Sequence, residues 1–341
     1  MGREPARWSG LDIAILHDGK AAMLGHEGEE AHLDVFATVE GVERALLQLG
    51  HHPRRVGLEN GARGALRQFI EKPPDVVFHF AETAGGETAG EGWVAAALNL
   101  LGLPHTSASP EALLLCRDKF KAKLVLREGG VPVSEHAISN DGLLPSALPQ
   151  SPWIAKPTLE DGSIGIGADA VTSERERLAT RVRLLYDTFR QPVIIESYIE
   201  GREFYAATVH GEPLPVSEVD FSGFPEDAPR IVGYEAKWRP DSAYYRHTNT
   251  VCPARIAPEI AERIQETSRT AMEALGVQGY CRVDFRMDGA GRLFVLEVNP
   301  NPDFAPDAGL ARMAEAAGWG YTGLVDRILD HALRARRTTG T

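Results

Sequence analysis

The sequence predicts an α/β protein with more than one lobe: an open parallel sheet at the N-terminus, then mixed α+β lobes. Three observations predict it. Over residues 11–101, continuous apolar runs alternate with helical patterns, as in a sheet covered on both faces. The 341 residues are enough for two or three separate hydrophobic cores. Near the C-terminus, two segments with period-two alternation face each other across a short turn, which marks an antiparallel hairpin.

The elements follow in order. Residues 11–16 (LDIAIL) read as a buried parallel strand, and Val35, Val39, Val42, Leu46 and Leu49 line one face of a helix that Gly50 stops. Residues 75–80 (DVVFHF) give a second strand, 84–92 a glycine-rich loop and 93–101 a second helix, so residues 1–115 form an N-terminal parallel-sheet domain. A basic helix at 117–124, a strand at 151–157, a glycine-rich turn at 161–167 and a strand at 193–197 (VIIES) make a central lobe, 116–205. The last lobe, 206–341, opens with a poorly periodic stretch, 221–250. A loop that long in a compact domain is usually a lid or a binding loop. Within it, residues 234–247, with Tyr244, Tyr245, Arg246 and His247, read either as an acceptor lid or as a solvated surface loop. Ile256, Ile260, Ile264, Ala271 and Leu275 then mark a helix leading to the hairpin.

Composition narrows the function classes. Hydrophobic residues make up 43% and charged residues 25%, as in ordinary globular proteins. A net charge of −12 without a Lys/Arg-rich run argues against nucleic acid or an anionic membrane as partner. The first ten residues lack the apolar core of a signal peptide, and no run approaches a membrane span. Three widely spaced cysteines suggest reduced thiols and a cytoplasmic setting. The 11 histidines show no zinc-like spacing, and His51-His52 reads as a solvated loop.

The hairpin carries the chemistry. Residues 278–287 (QGYCRVDFRM) place Arg282 and Asp284 on one face, opposite Cys281, Val283, Phe285 and Met287. On the return strand, Glu297 and Asn299 share a face, opposite Phe294, Leu296 and Val298. A turn at 288–291 would pair Met287 with Arg292 and set Arg282 opposite Glu297, with Arg282, Asp284, Glu297 and Asn299 on one side. Two carboxylates and an amide oxygen are hard ligands suited to Mg²⁺, and an arginine beside them can hold a phosphate or a developing oxyanion. Taken alone, the same pattern also fits a polar outer face with a routine cross-strand ion pair.

Upstream, Lys119, Lys156, the 162–167 turn (GSIGIG) and Lys237 recur too far apart to be one charge run. A glycine-rich turn after a strand lets backbone N–H groups approach phosphate, although GSIGIG alone reads first as a structural turn. The full series is Asp118-Lys119, then Lys156-Pro157 with its turn, IIESYIEGREF, YEAKW, and GYCRVDF…LEVNPNP. In that order it resembles the ATP-grasp carboxylate–amine ligases, the D-alanine–D-alanine ligase group in particular. The resemblance spans residues 76–330, is strongest at 252–301 and is weak before residue 50.

It implies an ATP-grasp fold with a Rossmann-like N-terminal (preATP-grasp) domain, and a set of roles. Lys119 and Lys156 would hold nucleotide phosphates, with Gly162 and Ser163 as the lid over them. Glu196, Ser197 and Ile199 would meet the adenine edge, Glu203 the ribose hydroxyls, and Lys237 the phosphates from the long loop. Asp284, Glu297 and Asn299 would bind two Mg²⁺ ions (Mn²⁺ being the alternative), and Arg282 would sit beside the reacting carboxylate. The implied reaction is ATP-dependent: a carboxylate is activated as an acyl phosphate with release of ADP, then joined to an amine. No serine or cysteine nucleophile is called for. The resemblance also implies a homodimer.

The departures lie at the substrate end. Glu30 falls near the family's glutamate for the first amino group, but the motif around it is absent. The Gly-Ser-Ser-Val-Gly lid is one residue short here. Trp238 replaces a tyrosine and has no hydroxyl to join a polar network. Asp303 stands in the final substrate loop, where it disfavours a free carboxylate and favours a cation. The expected activity is therefore a ligase joining a small carboxylate, an amino acid by type, to an amine other than D-alanine. Two alternatives stay open: a D-alanine–D-alanine ligase with divergent substrate loops, and an ATP-binding, non-catalytic scaffold.

Overall fold

The computed structural model of the chain describes residues 8–18, 29–58, 61–84, 89–226 and 228–339, with backbone alone for 29–34 and 335–339. The N-terminal region runs β1 (Asp12–His17), α1 (Glu29–Gln48), β2 (His52–Gly57), α2 (Gly61–Glu71), β3 (Val76–Phe80) and α3 (Gly90–Leu100). Its three strands form a parallel sheet in the order β2-β1-β3. The continuous apolar run of β1 follows from burial on both faces: Ile13 and Ile15 enter one core with α1, while Ala14 and Leu16 enter another with Phe69 and Leu98. β2 is new relative to the sequence reading. It is an edge strand whose Arg54 and Arg55 pair with Asp12 and Glu43, leaving Val56 as its one fully buried residue. The expected solvated loop at His51-His52 is corrected here. His51 is buried because its N–H closes the α1–β2 turn onto the Leu46 carbonyl, and His52 opens β2.

α4 (Pro110–Arg117) and α5 (Lys119–Glu128) meet at Asp118, which ends the first helix and caps the second by accepting from Lys121 N at 3.0 Å. Next come β4 (His136–Ser139), β5 (Trp153–Pro157), β6 (Val171–Thr172), α6 (Arg175–Phe189) and β7 (Val193–Ser197), with the strands antiparallel in the order β4-β7-β5-β6. α6 covers Ala155, Val193 and Ile195 with Leu178, Val182 and Leu185. Period-two alternation therefore leaves Lys156 and Glu196 on the opposite face.

The rest of the chain supplies β8 (Arg202–Val209), β9 (Glu212–Pro213), β10 (Ser217–Asp220), α7 (Tyr234–Trp238), α8 (Ala243–Arg246), β11 (Asn249–Val251), α9 (Pro258–Ala274), β12 (Tyr280–Met287), β13 (Leu293–Pro300), α10 (Gly309–Ala316) and α11 (Gly320–Thr339). A six-stranded sheet runs β11-β10-β8-β12-β13, with β9 on β8. The expected lobe boundary at residue 205 thus falls inside β8, a central strand of this sheet. One face of the sheet, with Phe204, Val283, Phe285, Val295 and Val298, packs into a core with Leu126, Ile264 and Ala271. At one end of the other face, Ala207, Val209 and Tyr280 join the N-terminal core, which α11 completes with Leu324, Val325, Ile328 and Leu329. None of the described helices is long and apolar enough to cross a membrane.

Buried histidines set a pH limit on this fold. Burial, reinforced by neighbouring His105, pushes His79 down to about 3, and burial beside the stacked ring of His331 does the same to His210. A folded-state value below the unfolded one means that the unfolded chain takes up protons first on acidification. The stability these groups contribute is full above about pH 6.5 and is lost as the pH falls toward 3. Urea unfolding at pH 5 is expected to show about 2 kcal/mol less stability than at pH 7.5 from His79 alone.

Candidate active site

The hairpin β12–β13 brings Arg282, Asp284, Glu297 and Asn299 to one sheet face, in a register different from the expected one. Met287 pairs with Leu293 rather than Arg292, Asp284 with Glu297, and Arg282 with Asn299. The turn shifts the pairing by one residue, and a bulge between Asp284 and Phe285 shifts it by one more. Each slip alone would move the return strand's side chains to the wrong face; together they restore it. The bulge leaves Leu296 unpaired between Val295 and Glu297. Phe294, opposite Arg286, therefore lies on the same face as Glu297 and not with Val298.

On that face Arg282 grips Asp284 through two hydrogen bonds, Nε to Oδ1 at 2.7 Å and Nη2 to Oδ2 at 2.9 Å, and stands 5.0 Å from the centre of the Tyr205 ring. Burial lifts the Asp284 carboxyl above its ordinary value even against this partner. Lys119 Nζ donates to the Glu160 carbonyl and to Asp161 at 3.0 Å, and lies 3.9 Å from Glu297. Burial opposes its charge, but Asp161 and Glu297 outweigh it and raise its pKa. The Asn299 side-chain nitrogen is buried without a hydrogen-bond partner. Since amide N and O are assigned from surrounding partners, an orphaned amide end beside two carboxylates fits an oxygen ligand facing a cation. No group of three or more His, Cys, Asp or Glu among the described residues closes a metal site. Two carboxylates and an amide oxygen are hard donors that fit Mg²⁺, which takes much of its shell from phosphate and water.

The central-lobe residues form a buried ionic cluster. Glu196 is bound by Lys156 at 3.0 Å, by Lys123 at 3.1 Å and by Ser134 Oγ at 2.8 Å. Burial opposes its ionisation, yet the two lysines hold the carboxyl well below the usual range. Both carboxylate oxygens are thus engaged from the lysine side, where Glu196 orients Lys156. Ser197 Oγ donates to the Gln150 carbonyl at 2.7 Å, and Ile199 follows β7 in the link to β8. Glu203 is buried, accepting from Tyr205 Oη at 2.9 Å and pairing with Arg286 at 2.7 Å.

The glycine-rich turn and the long loop close on one another. Gly162 and Ser163 both take left-handed backbone, φ 63° and 62°, which is costly for a serine and marks a tightly specified turn. Ser163 Oγ donates to the Val232 carbonyl at 2.7 Å, and Tyr234 N to Ile166 O at 2.8 Å. A Cβ on Gly233 would lie 2.6 Å from that same Ile166 oxygen, so glycine alone permits the approach. Trp238 Nε1 donates to Gly162 O at 2.8 Å. Trp238 lacks the tyrosine's hydroxyl, yet its indole N–H joins the two segments. Lys237, on α7, lies close enough to Asp161 and Asp284 to favour the charged form of both.

At the substrate end, Asp303 is exposed and accepts from Ala305 N at 2.9 Å. Asn301 bridges the hairpin exit to Glu91 at 2.7 Å and to Ala108 N at 3.0 Å. Burial, and Asp161 nearby, push Glu91 up to about 8. The Glu30 side chain lies outside the described residues.

Two residues here were missed from sequence although their spacing announced them. Lys123 is four positions past Lys119 on α5, hence on the same helix face. Arg286 is two positions past Asp284 on β12, hence on the site face.

Comparisons with known proteins bear on the family and the fold. Residues 146–330 match the family model described as D-ala D-ala ligase C-terminus. The uncharacterised protein y4sG of Sinorhizobium fredii is 31% identical over 86% of this chain and 87% of its own length. The D-alanine–D-alanine ligase of Erythrobacter litoralis is 30% identical over 88% of this chain and 90% of its own. A crystal structure of D-alanine–D-alanine ligase from Bacillus anthracis superposes with a TM-score of 0.74 at 22% identity, covering 97% of this chain and all (100%) of that one. A second structure of that enzyme, complexed with ATP, gives 0.73 at 20% identity.

Proposed function

This chain belongs to the D-alanine–D-alanine ligase family, and from that premise we propose that it is an ATP-dependent, ADP-forming ligase joining a small carboxylate, an amino acid by type, to an amine other than D-alanine. The observation that carries the reading is the single sheet face bearing Arg282, Asp284, Glu297 and Asn299, with Lys119 Nζ 3.9 Å from Glu297. A substrate carboxylate attacks the γ-phosphorus of ATP, forming an acyl phosphate and releasing ADP. The amine then attacks the acyl carbon, forms the C–N bond and expels inorganic phosphate, and the surplus proton passes to solvent.

Lys119, Lys156 and Lys237 balance phosphate charge, and Arg282 steadies the oxygen on which charge develops. Mg²⁺ held by Asp284, Glu297 and Asn299 would supply further charge neutralisation at the phosphates. Ser163 and Trp238 hold the two covering segments together, which keeps water from the acyl phosphate. Glu203, Ser197 and Ile199 take the adenosine end. At the substrate end, the exposed carboxylate of Asp303 supports an amine carrying positive charge over one carrying a free carboxylate. The division into a parallel-sheet domain and two ATP-grasp lobes, the cytoplasmic setting and the homodimer belong to the same reading.

Phosphate release from Mg²⁺-ATP across amino acids and amines, singly and in pairs, tests it. Turnover is expected only with a carboxylate and an amine together, and cationic amines are expected to exceed D-alanine. Nucleotide binding without phosphate release across the panel would overturn the ligase, and a maximum with D-alanine alone would overturn the altered specificity.

A further inference from the structure

Arg286 was singled out by no sequence motif, yet its guanidinium is one of the most buried charges in the protein, 3% exposed. It stands directly across the sheet from Glu203, its β8 pairing partner, and Nη2 pairs with the Glu203 carboxylate at 2.7 Å. Nη2 also donates to the Arg230 carbonyl, and Nη1 to the carbonyls of Gly201 at 3.2 Å and Ile199 at 3.5 Å. The rings of Tyr198 and Phe221 flank it, 5.7 and 5.5 Å from the guanidinium carbon. Tyr198 Oη donates to the same Arg230 carbonyl at 3.2 Å. Two residues along, the Val232 carbonyl receives Ser163 Oγ from the glycine-rich turn. One side chain thus touches the link between β7 and β8, the carboxylate of Glu203 and the root of the loop that carries Lys237 and Trp238.

We propose that Arg286 is a positioning residue for the nucleotide, fixing the Glu203 carboxylate for the ribose hydroxyls and seating the root of the covering loop. The inference rests on the nucleotide-binding reading of Glu203 given above. Glu203 accepts one hydrogen bond from Tyr205 Oη on Oε1 and is ion-paired with Arg286 through Oε2, so a carboxylate with about four acceptor sites keeps at least two for the hydroxyls. A planar fork with five N–H donors can hold the carboxylate and the backbone carbonyls at once. An ammonium at the same place supplies charge but cannot reach them together, and an apolar side chain leaves Glu203 buried without a countercharge. Carbonyl contacts on both the β7–β8 link and residue 230 also couple order at the ribose to order in the loop.

The test is calorimetric binding of Mg²⁺-ATP and Mg²⁺-2′,3′-dideoxyATP to the full-length wild type, Arg286→Lys and Arg286→Met. Wild type is expected to prefer ATP by about tenfold or more, the value of a hydrogen bond to a charged group. In Arg286→Met the affinity for ATP is expected to fall about tenfold, with far less change for the dideoxy nucleotide, so that the preference collapses toward unity. Arg286→Lys, which keeps the countercharge and guards against misfolding in the methionine variant, is expected to melt near wild type yet still lose most of the preference. An unchanged ATP-to-dideoxyATP ratio in a folded variant, or a wild type that binds both nucleotides equally, would overturn the role. A wild type that binds neither would instead overturn the nucleotide reading itself.

Discussion

Replacing Glu297 with alanine is expected to lower ATP-dependent phosphate release by ~10³-fold or more while leaving the protein folded. The position separates chemistry from stability better than its neighbours do. Asp284 is gripped by the Arg282 fork through both oxygens, so its removal strands a buried guanidinium. Glu297 is 27% exposed, and Lys119, its near cation, keeps Asp161 and the Glu160 carbonyl when Glu297 is gone. What disappears is a carboxylate facing the phosphate side, with no buried charge left unpaired. Phosphate release with saturating substrates, set beside a thermal melt, measures the split. A Glu297→Ala protein that melts like wild type and still turns over within tenfold of it would remove the hairpin from the chemistry.

Glu196→Ala has the opposite signature. It leaves Lys123, 2% exposed, and Lys156, 12% exposed, facing each other with no carboxylate between them. Removing one partner of a buried ion cluster costs about 3–5 kcal/mol, because the remaining charges stay desolvated. Urea unfolding is expected to show a lowered midpoint, the shift being that free energy divided by an unchanged slope. Glu196→Gln, which keeps the shape and loses the charge, is expected to fall between alanine and wild type. The sign with pH follows from the depressed carboxyl: its stabilisation is present above the ordinary carboxylate range and is lost on acidification, adding to the histidine effect. A Glu196→Ala protein as stable as wild type would show that the lysines discharge instead of staying charged.

What the sequence made legible follows from how strongly burial constrains each element. β1 and β3 are buried on both faces, so β1 reads as a continuous apolar run and β3 as an apolar strand broken only by His79; β7 (VIIES) was read to the residue. β2 escaped because an edge strand carrying two ion-paired arginines has no apolar pattern, and α6 because its exposed side is mostly charged. The site face of the hairpin was legible, since period-two alternation holds along β12. The register was not, because the bulge that sets it depends on pairing across strands. The pairing of Glu196 with Lys123 was not legible, because the lysine lies far off in sequence and meets it only once α5 packs against the sheets.

The return of α11 to the N-terminal core has a consequence for how the protein is made. Ile13, Val39 and Leu46 share one cluster with Leu324, Val325 and Leu329, so the parallel-sheet region leaves the ribosome lacking part of its interior until α11 is synthesised. The nascent parallel sheet must wait with one apolar face uncovered, and a chain cut short before residue 320 never receives its cover. Early termination therefore yields a protein damaged at its beginning as well as at its end.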